Sequence, residues 1–459
     1  MPSDRWGTDR LRRGLLRALR VRHPAQAVVV AFAVAVLVAA GLLALPVATE
    51  SGQGAALLTA LFTAVSAVCV TGLVVVDTPT YWSGFGEAVI IVGIQVGGFG
   101  IITLASLLAL AVSRRLGLRG RLAAQTESST VDLGDLRTVL RGVFAYTVAF
   151  EAAAAVVLTL HFLLAYDYTP VRAVYHGVFH SVSAFNNAGF ALYSDNVVGF
   201  ATDRLVTGVL ALLTIAGGLG FPVLFDLARR DRSPGRWSLH TKLTLAVTLP
   251  LFALGSVAIL VFEWANPATL GPLAVVDKLT PAAFHGVVPR TSGFNSLDVG
   301  QMSEPSLLVT DVLMFIGGGS AGTAGGIKVT TFALLAYVIL AEVRGEHDVR
   351  LFDRRVAPGA QRQALAVALL GLGAVVTATL ALLAVAPLAL SDALFEAVSA
   401  FGTVGMSTGI TAALPPAGQL VLIVLMFLGR VGPITLGSAL ALRQRELRYR
   451  LPEERPVIG

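Results

Sequence analysis

The sequence predicts an all-α integral membrane protein: four helix–pore loop–helix units with pseudo-fourfold symmetry around one pore, carried by eight transmembrane helices. Three observations lead there. The composition is too apolar for a soluble domain, eight apolar stretches are long enough to cross a bilayer, and a short glycine-bearing segment recurs four times between them.

Of the 459 residues, 55% are hydrophobic and only 14% charged, with a mean hydropathy of +0.77. A soluble domain carries about a quarter charged residues, so this chain has too little polar surface to wrap its own core. Residues 26–48, 205–225, 243–262 and 363–390 contain no Asp, Glu, Lys or Arg, and 84–112, 139–164, 306–341 and 417–442 hold only isolated charges. About 20 apolar residues cross the hydrocarbon core, which makes each stretch a spanning candidate. The first apolar run is longer than a signal-peptide core and lacks a convincing cleavage site after it, so it is read as a retained helix. Clusters of five to seven arginines or lysines precede the first span, follow the last, and fill every second connection. By the positive-inside rule that face, with both termini, is cytoplasmic. The net charge of +6 therefore expresses topology and gives no support to nucleic-acid binding. Cys69 is the single cysteine, which excludes an intrachain disulfide or a thiolate metal cluster. The expected layout is a basic cytoplasmic segment 1–24 and units 25–113, 114–230, 231–345 and 346–442. A cytoplasmic tail, 443–459, closes it.

The outer connections carry the repeat. Phe62–Gly72, Phe179–Gly189, Phe284–Gly293 and Phe395–Gly405 each open on phenylalanine and end on glycine, and Val-Ser-Ala stands at the same place in the first, second and fourth. Recurrence at intervals of about 110 residues marks a duplicated architecture. Each segment is too short to span, and a half-helix that dips in and returns as extended chain fits its length. Non-helical backbone at membrane depth is tolerated only where protein buries it or water lines it, so four such loops predict a shared hydrated path.

A cation leaving water needs oxygen ligands, and rings of backbone carbonyls supply them without fixed charge. Aiming carbonyls at one axis calls for backbone angles that a Cβ forbids, hence glycine at each turn. The candidate lining is Val70-Thr71-Gly72, Asn187-Ala188-Gly189, Thr291-Ser292-Gly293 and Thr403-Val404-Gly405. Acidic Glu50, Asp77, Asp195, Asp298, Glu304 and Asp392 are expected around the outer mouth, where negative potential concentrates cations.

The stretch 306–341 would run about 54 Å as one helix, well beyond the roughly 30 Å it has to cross. In its middle lie Gly317, Gly318, Gly319, Ser320, Gly322, Thr323, Gly325 and Gly326, followed by Lys328. Six glycines in ten residues cannot hold a helix cheaply, so an intramembrane loop is expected there, placed to act as a gate; glycine-rich helix packing is the alternative. Arg430, inside the last span, either faces the path as a barrier to cations or is a structural arginine.

Other features suggest chemistry more weakly. His176 and His180 have helical metal-ligand spacing, with Asp195 or Glu151 as conceivable third ligands, yet a packing role is favoured. The glycine run has no preceding strand, which argues against nucleotide binding in this chain. Ser320 lacks a plausible base, so the chain is not read as an enzyme.

Ala67–Leu73, Phe185–Phe190, Pro289–Asn295, Thr403–Ser407, Gly317–Lys328 and Gly429–Thr435 together resemble the Trk/Ktr/HKT superfamily of potassium transporters, most closely its Ktr-type membrane subunit. The resemblance implies potassium uptake, with Gly72, Gly189, Gly293 and Gly405 as filter glycines. Family members with serine at the first of these favour sodium, so Gly72 argues for potassium. It also implies a homodimer in the plasma membrane of a bacterium, and a separate cytosolic ring of nucleotide-binding (RCK-type) regulatory subunits that acts on the glycine loop. Cys69 departs from the family's usual hydroxyl residue. A sodium or unselective monovalent cation transporter on the same scaffold remains the alternative, and a membrane enzyme or a scaffold protein a more distant one.

Overall fold

The computed structural model describes residues 24–115, 136–228, 234–346, 348–352 and 354–442. Segments 1–23, 116–135, 229–233 and 443–459, which carry most of the basic clusters, the N-terminal segment and the tail, lie outside the described residues.

The described chain is almost wholly helical, in the order α1 (Pro24–Leu43), α2 (Leu57–Val68), α3 (Gly84–Arg115), α4 (Leu136–Ala165), α5 (Pro170–Phe185), α6 (Arg204–Leu219) and α7 (Phe221–Leu227). It continues with α8 (Leu239–Glu263), α9 (Val275–Val287), α10 (Glu304–Phe315), α11 (Val329–Val343), α12 (Pro358–Val385), α13 (Leu390–Gly402) and α14 (Pro416–Leu442). Among the described residues, three helical segments are long and apolar enough to cross a membrane by themselves: Leu140–Ala165, Leu239–Glu263 and Pro358–Val385. They bury little of themselves. On α8, Leu249, Leu254, Val257 and Val261 are all exposed. An apolar stripe turned outward in water would be an unstable surface, whereas in a bilayer it meets lipid.

Two expected spans are not straight helices. The stretch 205–225 bends by 104° at Gly220, between α6 and α7. Gly220 sits at φ 91°, and a Cβ there would meet the Ser320 carbonyl, so a side chain is excluded on both counts. The stretch 306–341 is interrupted: α10 stops at Phe315 and α11 starts at Val329. Between them a parallel bridge from Ile316 to Ile327 and the Val329 N–H donating to the Gly318 carbonyl at 3.0 Å close the loop at its neck.

The four short helices α2, α5, α9 and α13 are 12, 16, 13 and 13 residues long. At 1.5 Å per residue they reach about 18–24 Å, short of a crossing. They are the buried heart of the molecule. Phe62, Phe179, Phe284 and Phe395, which open the four repeats, are each at most 3% exposed and share one core. Between α11 and α12, β1 (Arg350–Leu351) and β2 (Arg354–Arg355) form an antiparallel hairpin that no sequence pattern signals. Leu351 docks it in a small cluster with Leu243 of α8 and Ala333 of α11.

Candidate functional site

The short helices end where the repeats predicted extended chain. Their C-terminal ends carry partial negative charge, and a loop leaves each of them. In three loops the first turn is left-handed, at Val70 (φ 58°), Asn187 (φ 62°) and Thr403 (φ 49°). All four then pass through a left-handed glycine: Gly72 at 95°, Gly189 at 70°, Gly293 at 69° and Gly405 at 94°.

The repeated serine explains itself here. The carbonyls of Ser66, Ser183 and Ser399 accept the N–H groups of Thr71, Ala188 and Val404 at 2.7, 2.8 and 2.9 Å. The hydroxyls of Ser66 and Ser399 accept the N–H of Gly72 and Gly405 at 3.0 and 3.1 Å. Ser183 instead donates to the Phe190 carbonyl at 2.8 Å. The third loop, one residue shorter, has Val288 in the serine's place. There the chain makes a 3-10 turn, Val288–Arg290, and Thr291 is extended at φ 171°. Its outside support is Thr214 of α6, whose hydroxyl donates to Ser292 Oγ at 2.9 Å.

The four glycines lie against one another's loops in chain order. A Cβ built on Gly72 would collide with the Ala188 carbonyl oxygen, and one on Gly189 with the Ser292 carbonyl oxygen. One on Gly293 would strike the Val404 carbonyl oxygen, and one on Gly405 the Thr71 carbonyl oxygen. The circuit closes, with a carbonyl from each loop packed on the next glycine. Above it is a cavity of about 390 Å³ lined by Gly72, Gly189, Gly405, Asn196, Asn295 and three acids, Asp77, Asp195 and Asp298. Glu50, Glu304 and Asp392 are not among its lining residues. Each lining acid also braces its loop. Asp77 accepts from the hydroxyls of Thr80 and Ser194 (2.7 Å each), Asp195 from the Gly199 N–H (2.9 Å) and Asp298 from the Gly300 N–H (3.1 Å).

On the other side of the circuit lies the glycine-rich loop 316–328. Its Thr323 hydroxyl is hydrogen-bonded to the Asn187 side chain at 3.2 Å in either amide orientation, and Gly325 packs on the Thr403 hydroxyl. Gly319 and Thr323 donate to the carbonyls of Gly218 and Gly217 in α6 at 2.7 and 3.1 Å, and Gly317 donates to Ile327 at 2.8 Å. Gly318 faces Ala324 and the Gly218 carbonyl, Gly322 faces Gly217 and Gly220, and Gly326 rests on Gly402. Side chains would not fit at these contacts, which accounts for the glycine content.

Three cationic side chains hold the loop's carbonyls. Arg430, 2% exposed, donates to the carbonyls of Thr323 and, at 3.2 Å, Gly97. Lys328 donates to Ala324 and, at 3.4 Å, Gly325. Arg290, 4% exposed, donates from Nη2 to Gly317 at 2.8 Å and lies 4.9 Å over the Phe252 ring. Arg290, one residue before Thr291-Ser292-Gly293, has no role legible in the sequence, because its partner Gly317 comes beside it only in the fold. A glycine in each of α3, α6 and α14 also lets that helix pack on the C-terminal end of one of the four short helices. A Cβ on Gly97, Gly217 or Gly429 would collide with the carbonyl of Val68, Phe185 or Phe401, six residues after the repeat phenylalanine in each case.

The residue after that phenylalanine supports the returning strand. His180 Nε2 accepts the Leu192 N–H at 3.2 Å, and His285 Nε2 accepts those of Ser296 and Leu297, both at 3.2 Å. Glu396 accepts from the hydroxyls of Ser407 and, at 2.9 Å, Thr411. With Nδ1 donating to the His176 carbonyl at 2.8 Å, both nitrogens of His180 serve the backbone. Glu151 is engaged elsewhere, accepting from the amides of Gln95 (3.3 Å) and Asn186 (3.0 Å). Ser320 pairs with the Thr330 hydroxyl at 3.0 Å, not with a base.

Residues 12–446 match the family model TrkH, described as a cation transport protein. The chain is 39% identical to the Ktr system potassium uptake protein B of Bacillus subtilis, over 93% of this chain and 95% of that one. It is 33% identical to the potassium/sodium uptake protein NtpJ of Enterococcus hirae, over 95% and 97%. Among solved structures, the potassium transporter TrkH of Vibrio parahaemolyticus superposes with a TM-score of 0.71 at 18% identity, covering 91% of this chain and 84% of that one.

Proposed function

Because the chain belongs to the TrkH family of cation transport proteins, we propose that it takes up potassium across the plasma membrane through a carbonyl-lined filter gated by the loop 316–328. It is a membrane transporter, not an enzyme. The observation that carries the proposal is the closed circuit of four left-handed glycines, each packed on a carbonyl of the next loop. Val70-Thr71-Gly72, Asn187-Ala188-Gly189, Thr291-Ser292-Gly293 and Thr403-Val404-Gly405 then offer uncharged oxygens in place of hydration water. Four helix C-termini aimed at the same place add negative potential.

In this reading the chain is four helix–pore loop–helix units on eight spans, divided at 25–113, 114–230, 231–345 and 346–442. The closed circuit supports it, as does the buried short helix that lies between two other helices in each unit. The gate is Gly317–Lys328, held against Asn187 and Thr403 at the inner end of the filter. Arg430 both latches it and puts an unneutralised positive charge there, since its two acceptors are backbone carbonyls. The chain works as a homodimer with both termini in the cytoplasm. A separate cytosolic ring of nucleotide-binding RCK-type subunits moves the loop. Relatives designated component B of a Ktr system support a multi-component assembly.

The name of the Enterococcus hirae relative favours a second reading, transport of sodium as well as potassium. Flux of each ion into proteoliposomes containing the full-length chain decides between them. Potassium flux well above sodium is expected. Equal fluxes would establish the unselective reading, and absence of both from folded protein would remove the claim that this chain conducts alone.

A further inference from the structure

We infer that Arg290 couples the gate loop to the ion filter, so that movement of the loop's first residue changes selectivity as well as flux. The inference rests on the filter and gate reading above and extends it to a residue outside both. The guanidinium of Arg290 binds the Gly317 carbonyl, where the intramembrane loop begins. Its own backbone is the last residue of the 3-10 turn that leads directly into Thr291-Ser292-Gly293. One side chain therefore joins the loop to the third filter segment.

The third segment is also the one that lacks the repeat's serine hydroxyl. The first and fourth glycines receive a serine hydroxyl on their N–H, whereas the third repeat has valine there. Within its own repeat only the Val288 backbone carbonyl holds it, accepting the Thr291 and Ser292 N–H groups at 3.2 and 2.9 Å, and its side-chain restraints come from Thr214 of α6 on Ser292 and from Arg290 through Gly317. A displacement of Gly317 is thus transmitted to a filter loop that has no serine to resist it. There is room for it, since a small cavity of about 20 Å³ lies between Arg290, Thr248, Phe252, Thr291 and Gly318. Arg290 Nε and Thr248 Oγ1 have no hydrogen-bond partner among the described residues, so part of the guanidinium is free to re-pair when the loop moves. Arg430, by contrast, grips the loop from a helix and touches no filter residue through its hydrogen bonds. Arg290 is a positioning residue.

The test compares Arg290→Gln, Arg290→Lys and Arg430→Gln in the full-length chain in proteoliposomes, reading total flux and the potassium-to-sodium ratio. Arg290→Gln should raise flux and lower the ratio at least fivefold. Lysine keeps the charge but not the planar fork, so Arg290→Lys should fall between it and wild type. Arg430→Gln should raise flux and change the ratio less than twofold. A ratio unchanged in both Arg290 variants overturns the coupling, and so does an equal loss of ratio in Arg430→Gln. If Arg290→Gln does not fold, Arg290→Lys carries the same comparison alone. A reporter thiol, Ser320→Cys, follows the loop without any transport. Its modification should speed up in Arg290→Gln, and an unchanged rate would show that Arg290 does not restrain the loop. Wild-type protein that conducts neither ion would fail the transport reading itself, while this labelling result still stands or falls independently.

Discussion

Gly72→Ser should cut the potassium-to-sodium flux ratio of the reconstituted protein by about tenfold or more. At φ 95° an L side chain is strained, typically by about 1–3 kcal/mol, and each 1.4 kcal/mol is a factor of ten in an equilibrium. The added Cβ also has nowhere to go, because it would overlap the Ala188 carbonyl oxygen. The damage therefore falls on the neighbouring loop, whose carbonyl must swing away from the axis or drag Gly189 with it. The same logic makes Gly405→Ser act on Thr71 and Gly293→Ser on Val404. The control is Gly208→Ala, a helical position where a Cβ meets nothing within 4 Å and the ratio should not move. A Gly72→Ser protein with wild-type selectivity would remove Gly72 from the filter.

What could be read from the sequence was whatever repeats or whatever the bilayer forbids. Phe62, Phe179, Phe284 and Phe395 announced the four short buried helices because all four solve one packing problem. The interruption after Phe315 was legible because an uninterrupted apolar stretch of that length does not fit a membrane. The bend at Gly220 was not, since residues 205–225 have an ordinary spanning composition and the contact that excludes a side chain there is the Ser320 carbonyl, 100 residues away. Arg290 was invisible for the same reason. Its partner Gly317 is distant in sequence, and only the fold shows that a charge beside the filter is spent on a loop carbonyl. Of six acids expected at the outer mouth, sequence could not separate Asp77, Asp195 and Asp298 from the other three, because lining a cavity depends on which way each loop turns.

Arg430→Gln, or removal of three or four residues from 318–326, should raise potassium flux by about ten- to a hundredfold in the absence of any partner. The guanidinium of Arg430 donates to Thr323 in the loop and to Gly97 in α3, joining the loop to two long helices. A hydrogen bond from a charged group is worth about 1.5–3 kcal/mol, so its loss shifts the balance between held and released loop by that order. An unpaired charge at membrane depth costs at least about 2.5 kcal/mol, which is why it needs those carbonyls and why a cation approaching it meets repulsion. Glutamine retains one amide donor and loses the charge, so latch and electrostatic barrier weaken together. Loop shortening that takes out Thr323 removes its contact with Asn187 but leaves Arg430 charged. If the latch matters most, both variants rise alike; if the charge does, Arg430→Gln rises further. Flux at or below wild type in both, with folded protein verified by its thermal transition, would take the gate away from this loop.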